Sequence, residues 1–413
     1  MVMSTNERQG WFIVGGLGVI TCLITGGAIA TMGILLSPVV ETFRCTSAQG
    51  SLAVSCLLIG GTLMYPVAGW LVDRVGVRWV MVLGAMLAVL SYLLAAYSHS
   101  IEVFSAALFF LGLADAAVIS VPLMLIVSSW LPLHRGLAFG VIMSSSACGS
   151  AVLPSLVAYL NNHQIADWRL CMRGIALAIA IVVPPILMLV ARLRPGDAPN
   201  AIDADIEVGE SDAGKIVTAL DWWLLVAIQC VGSFSYMATY VYVVPHLVEA
   251  GYSPQSAASM FSGIGIAAFA GYLVFGLLAD RVGARKALIV GFLVAAVGMS
   301  MLLLAAMPGA GFGLAVGFVV LWGMTINLSA QLAPVLIANI AGLRHFGLLM
   351  GISLFVSSGA AALGPLITGF IYDRTGRYAT AFLICVGAIL LAALMTWFLR
   401  RDRADDRALV TMS

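Results

Sequence analysis

The chain has 413 residues, 62% of them hydrophobic and only 9% charged, with a formal net charge of +1. A soluble protein carries roughly 25% charged residues, so no aqueous core can hide this much apolar surface and the surrounding medium has to be lipid. The net charge says nothing about nucleic acid, and with no basic cluster interleaved with aromatics, no nucleic-acid partner is expected.

At about 20 residues per membrane-spanning helix plus short connections, the length accommodates about twelve spans. The first ten residues are mostly polar, and Trp11 opens an apolar stretch that reaches Pro38. That stretch is too long for a signal-peptide core and lacks a cleavage site, so it reads as the first span. The next five spans are predicted at 49–71, 79–98, 103–130, 137–160 and 171–192. A second set of six is predicted at 221–246, 256–278, 287–307, 312–338, 347–371 and 379–399. Between the sets, Pro195, Pro199 and the acidic run Asp203, Asp205, Glu207, Glu210 and Asp212 mark a polar connecting loop. The expected architecture is an all-α membrane protein with a six-helix bundle at 1–193, a cytoplasmic loop at 194–219 and a second six-helix bundle at 220–413.

Lys and Arg concentrate on the cytoplasmic side of membrane proteins. With the N-terminus inside, fifteen basic residues fall on that side, against five outside: Arg44, Arg169, Arg173, Arg374 and Arg377. Both termini are therefore expected in the cytoplasm, and the protein in an inner or plasma membrane. Seven cysteines form no CxxC and no Cys/His cluster, and five sit in apolar spans as packing residues. Cys45 and Cys171 fall near one membrane face, which leaves a bridge between them open.

The two halves repeat one plan. Gly69-Trp70-Leu71-Val72-Asp73-Arg74-Val75-Gly76-Val77-Arg78 returns as Gly276-Leu277-Leu278-Ala279-Asp280-Arg281-Val282-Gly283-Ala284-Arg285. Gly136 and Gly140 recur at Gly347 and Gly351, Pro154 at Pro365, and Pro122 at Pro334. A charged hairpin repeated between long apolar stretches belongs to carriers that alternate access by rocking one half against the other.

These residues resemble the major facilitator superfamily, whose loop signature lies between helices 2 and 3 and again between helices 8 and 9. The resemblance covers essentially the whole chain and implies twelve helices in two pseudo-symmetric halves, working in transport. Trp130-Leu131-Pro132-Leu133-His134-Arg135-Gly136-Leu137-Ala138-Phe139-Gly140 is similar to the segment after helix 4 in monocarboxylate carriers and oxalate/formate exchangers. Val244-Pro245-His246-Leu247 and Asp373-Arg374-Thr375-Gly376-Arg377-Tyr378 are similar to that branch too. The branch implies small organic anions, moved with or without a proton. Its eukaryotic members carry a substrate-binding arginine inside helix 8, where this chain has Tyr272, so the likeness to that branch is incomplete.

Asp115 stands near the middle of the predicted fourth span, and no other carboxylate lies so deep. A charge at that depth costs about 2.5–3.5 kcal/mol on insertion scales, so the residue reads as a proton-coupling group facing an aqueous cavity. Its other reading is a hydrogen-bonded packing residue. Asn327 in span 10 matches Asp115 through the repeat, each seven residues before its proline, and Gln331 continues that stripe. The resemblance places helices 1, 4, 7 and 10 around the central cavity, so these residues are expected at a site shared between the halves, or else in interhelical bonding. Gln229, Ser233, Tyr236 and Tyr240 share one face of span 7. The tyrosines suit an aromatic or small amphipathic solute, or a packing stripe. Thr21 and Thr25 form a milder stripe in span 1; Tyr272 completes the expected solute-binding set of Asn327, Gln331, Tyr236, Tyr240 and Thr25. His246 reads as an interfacial residue.

The hairpins Gly69, Asp73, Arg74, Gly76, Arg78 and Gly276, Asp280, Arg281, Gly283, Arg285 are expected to form a conformational latch, or to act as topology signals alone. By the resembled arrangement Asp73 faces the start of helix 11 near Gly347, and Asp280 the start of helix 5 near Gly136. The absence of GxxxxGK[ST], GxSxG and HExxH motifs argues against a nucleotide-driven pump or an enzyme. The expectation is a monomeric secondary transporter without cofactor or metal, moving a small organic solute with protons across the bilayer. A monocarboxylate or related anion stands first, a neutral or cationic compound exchanged for protons second, and a non-transporting solute sensor third.

Overall fold

The computed structural model describes residues 5–162, 167–192, 220–307, 312–343 and 345–399. The loop expected at 194–219 lies outside them, as do Arg344 and the basic tail from Arg400 onward. Among the described residues, twelve helices are long and apolar enough to cross a membrane. Spans 1 to 6 are Glu7–Ala28, Gln49–Val75, Val77–Ala96, Ile101–Trp130, Arg135–Leu160 and Trp168–Val190. Spans 7 to 12 are Leu220–Glu249, Pro254–Val282, Ala284–Ala305, Phe312–Ala341, Phe346–Thr375 and Tyr378–Phe398. No strand occurs among the described residues, as a lipid solvent requires when every backbone group must be satisfied inside its own segment.

Contacts group the chain into two units. The first comprises Met1–Pro132, Val141–Val208 and Leu343–Phe355, the second Leu133–Gly140, Gly209–Gly342 and Val356–Ser413. Each unit therefore takes in the first turns of one span whose remainder belongs to the other. The packing repeats as the sequence does. In the first unit, span 4 packs on spans 2 and 3, and span 6 on spans 1 and 3; in the second, span 10 packs on spans 8 and 9, and span 12 on spans 7 and 9. Small residues permit this. A Cβ on Gly112 would overlap the Leu57 carbonyl between spans 4 and 2, and one on Gly271 would overlap the Met324 carbonyl between spans 8 and 10.

Three spans are not the continuous helices expected. Span 1 contains a π turn at Gly26–Ala30, where Thr31 Oγ donates to the Gly26 carbonyl at 2.7 Å. The Gly26-Gly27 pair lets the backbone relax there. Span 4 divides at Ser120 into Ile101–Ile119 and Val121–Trp130. Pro122 has no N–H to give and its ring crowds the preceding turn, while the Ser120 hydroxyl bonds back to the Ala116 carbonyl. Span 10 divides into Phe312–Met324 and Leu328–Ala341, with Asn327 in the left-handed region at φ 53°. Asn tolerates that conformation better than most residues.

Helix starts are capped in two ways. Thr46, Ser100, Asp167 and Ser253 each accept a bond from the N–H three residues on, capping spans 2, 4, 6 and 8 from within the local chain. Spans 5 and 11 receive carboxylates from distant residues instead, as described below. At the hairpins themselves, Gly76 and Gly283 adopt φ 89° and 93°, a conformation that excludes most side chains.

Candidate functional site

In the first unit, Asp115 lies in the regular helix Ile101–Ile119, four residues before that helix ends. Its Oδ1 is buried and accepts no hydrogen bond. Two tyrosines lie within electrostatic reach of its carboxyl, Tyr65 on span 2 and Tyr92 on span 3. Tyr92 is fully buried and its hydroxyl is also without a partner. That hydroxyl sits against the π turn of span 1: a Cβ built on Gly27 would lie 2.8 Å from it. Thr25 ends the helix before this turn and makes no capping bond, whereas the Thr21 hydroxyl is satisfied by the Leu17 carbonyl at 2.9 Å. The interior of this unit thus gathers an acid, two phenols and a distorted backbone, with two buried polar atoms left unsatisfied. Leaving such atoms unpaired costs about 1–3 kcal/mol each.

In the second unit the tyrosines of span 7 form part of an aromatic cluster. The Tyr236 and Tyr240 ring centroids are 5.4 Å apart, Tyr236 stacks on Trp322 at 6.3 Å, and Trp322 stacks on Phe318 at 5.4 Å. Tyr240 meets Phe261 at 5.0 Å, and Tyr272 lies within electrostatic reach of both span 7 tyrosines. Asn327 lines a small cavity together with Tyr236 and Trp322. Gln331 is committed elsewhere at one end: its Nε2 donates to the Tyr272 carbonyl at 2.8 Å, while its buried Oε1 has no partner. The structure therefore brings together Tyr236, Tyr240, Tyr272, Asn327 and Gln331. His246 is 3% exposed, edge-on to Phe382 at 5.0 Å and 3.9 Å from the Glu249 carboxylate.

The repeated hairpins present their acids to helix starts. Asp280 accepts from the Gly136 N–H at 2.7 Å and the Leu137 N–H at 2.9 Å, in the first turn of span 5. Asp73 accepts from the Leu348 N–H at 3.0 Å and from Gly347, in the first turn of span 11. These N–H groups have no intrahelical acceptor and carry the positive end of the helix dipole, so a carboxylate there is stabilised. Gly69 and Gly276 let the backbones meet, since a Cβ at either would strike the Gly347 or Gly136 carbonyl. Of the hairpin arginines three are exposed and Arg285 is half-buried against span 12. Arg74 lies 4.5 Å over the Trp70 ring, Arg78 and Arg281 are exposed, and Arg285 donates to the Thr396 carbonyl at 3.1 Å and to Trp397 at the end of span 12. All seven cysteines are free thiols, Cys45 and Cys171 included.

Sequence reasoning missed Tyr65 and Tyr92. Each is a solitary phenol in its span, and a lone tyrosine in an apolar helix gives no periodic signal. The only available clue was the pairing of Tyr65 with Pro66.

Comparison with known proteins agrees with this architecture. The Major Facilitator Superfamily profile matches residues 17–273 and 224–411. An MFS-type transporter of Bacillus subtilis is 24% identical, covering 98% of this chain and 99% of that protein. Monocarboxylate transporter 12-B of Danio rerio is also 24% identical, covering 95% and 87%. The solved proton:xylose symporter XylE superposes with a TM-score of 0.72 at 14% identity, covering 98% and 99%. With its repeated hairpins, twelve spans and a profile match across nearly its whole length, the chain belongs to the Major Facilitator Superfamily: it is a multi-pass membrane transporter, not an enzyme.

Proposed function

We propose that this transporter moves a small organic anion, a monocarboxylate or a close relative, together with a proton carried by Asp115. The observation that carries the reading is the buried, unpartnered Asp115 oxygen beside Tyr65 and Tyr92. A carboxyl in that setting is suited to taking up and releasing a proton as its surroundings change. The likeness to monocarboxylate transporter 12-B supports the solute class. The second unit is assigned to the solute: the ring faces of Tyr236, Tyr240 and Tyr272 take its apolar body, and Asn327 and Gln331 its polar groups. Thr25 stays with the polar groups of the first unit. With no arginine at the position of Tyr272, the anion is held by neutral donors, which bind a carboxylate less strongly than a bidentate guanidinium.

The hairpin contacts act as a latch. Asp73 on span 11 and Asp280 on span 5 hold the cytoplasmic end closed and release it on opening, as two-state elements of switching proteins do. Gly69, Gly76, Gly276 and Gly283 shape the hairpins; Arg74, Arg78, Arg281 and Arg285 mark the inner face of a cell membrane with both termini inside.

A second reading, exchange of a cationic or neutral compound for protons, is favoured by the aromatic cluster of Tyr236, Tyr240 and Trp322, whose faces attract cations. Uptake of labelled carboxylates and amines into proteoliposomes decides between them. The anion reading expects carboxylate uptake that rises as external pH falls. Preference for amines, with uptake rising with pH, would replace it.

A further inference from the structure

The break in span 10 leaves a cavity of about 30 Å³ within the second unit, lined among others by Ser235, Tyr236, Trp322, Thr325, Asn327 and Ser329. A single water needs about 10–15 Å³ measured in the same way, so the space holds two waters or one compact ion. Its polar lining is weighted towards donors. Ser235 is 1% exposed and its hydroxyl has no partner. Ser329 is 3% exposed and stands in the first turn of Leu328–Ala341, where its backbone N–H has no acceptor among the described residues. Asn327 precedes that helix without capping it through its side chain.

Two carbonyls near the end of the preceding helix, those of Trp322 and Gly323, already accept hydrogen bonds. Thr325 N–H donates to the Trp322 carbonyl at 3.0 Å, Ile326 N–H to Gly323 at 3.2 Å, and the Thr325 hydroxyl to Trp322 at 2.9 Å. No acidic or basic side chain lines the cavity. A cation there would face the positive end of a helix without a counter-charge. An anion would meet that end, a free N–H and two hydroxyls. Gly232 leaves the room: a Cβ at that position would lie 2.6 Å from Ser329 Oγ.

We propose that the interrupted tenth span binds a compact monoanionic group, held by the Ser235 and Ser329 hydroxyls and the uncapped start of Leu328–Ala341. The group is either a free halide-sized ion or the carboxylate end of a solute; the second source rests on the organic-anion reading above, the first does not.

The test is thermal unfolding of the purified full-length protein at fixed sodium and ionic strength, with methanesulfonate, which carries no carboxylate and is larger than a halide, replaced stepwise by chloride or formate. Only an ion that binds the folded state raises the midpoint. The expected result is a saturable rise with at least one of the two, and a roughly tenfold weaker response in Ser235→Ala, as the loss of one charged hydrogen bond implies. Gly232→Ala, whose Cβ fills the space and pushes the Ser329 hydroxyl aside, should abolish the response. A rise with both ions points to a free anion, and a rise with formate alone to a carboxylate end. Equal unfolding in all three salts overturns the proposal, as does an unchanged response in both variants. If chloride stabilises through Ser235 while transport proves selective for amines, the organic-anion reading fails and this site stands.

Discussion

Asp115 and Asn327 occupy matching places in a duplicated plan, yet their surroundings have diverged. Asp115 keeps a regular helix around it, and the break in span 4 comes later, at Ser120. Asn327 is itself the break in span 10, in a left-handed conformation with the next helix starting beside it. In the first half the polar chemistry is carried by side chains: one carboxyl and the phenols of Tyr65 and Tyr92. In the second it is carried by an amide, hydroxyls and one buried backbone N–H beside an aromatic wall. On the function proposed above, two halves built on one plan would divide the work, the first taking the proton and the second the solute. The helix starts show the same contrast at smaller scale. Thr46, Ser100, Asp167 and Ser253 cap from three residues away and cannot be separated from what they cap. Asp73 and Asp280 cap helices remote in sequence, and such contacts can part.

Substitutions can break or sharpen this division. Asp115→Asn should remove solute accumulation driven by a pH gradient while leaving counterflow exchange at least partly intact, both measured in proteoliposomes. Asn327→Ala should raise the half-saturation concentration about tenfold, the effect of losing one well-placed hydrogen bond of roughly 1.5 kcal/mol. Asn327→Gly keeps the left-handed backbone accessible, so equal effects of the two variants would assign the loss to the amide, and a normal Gly variant to the backbone. Tyr92→Phe removes a buried hydroxyl that has no partner. It should leave the melting temperature unchanged or slightly raised while slowing transport several-fold; a normal rate would leave Tyr92 as packing. Asp73→Asn and Asp280→Asn should have the smallest effects, each weakening a charge–dipole contact of about 0.3–1 kcal/mol. Cysteine labelling from the hairpin side should rise in both, and unchanged labelling with normal transport would reduce the hairpins to topology signals.

Much of the fold was legible because lipid leaves so few choices. Runs of twenty apolar residues read directly as spans, and the hairpin at Gly69–Arg78 announced its copy at Gly276–Arg285. The helix starts met by Asp73 and Asp280 could be named in advance, since the resembled arrangement pairs each hairpin with one. The interruptions were not legible. Asn327 reads as one more polar residue on a helical stripe until the Thr325 hydroxyl is seen satisfying the Trp322 carbonyl and ending the helix early. The Gly26-Gly27 pair looks like packing, and a Cβ on Gly26 would indeed strike the Gly149 carbonyl of span 5, but nothing in its spacing announces a π turn. Tyr92 and Ser235 escaped for a shared reason. Their significance lies in partners they lack, and unsatisfied atoms leave no trace in a linear pattern.

In the function proposed above, Asp115 carries the proton. That role is tested most directly by following the internal pH of proteoliposomes as solute is added, in the wild type and in Asp115→Asn. Solute entry should acidify wild-type vesicles, and the variant should exchange solute with no change in internal pH. A variant that still acidifies its vesicles in step with solute entry would contradict this assignment.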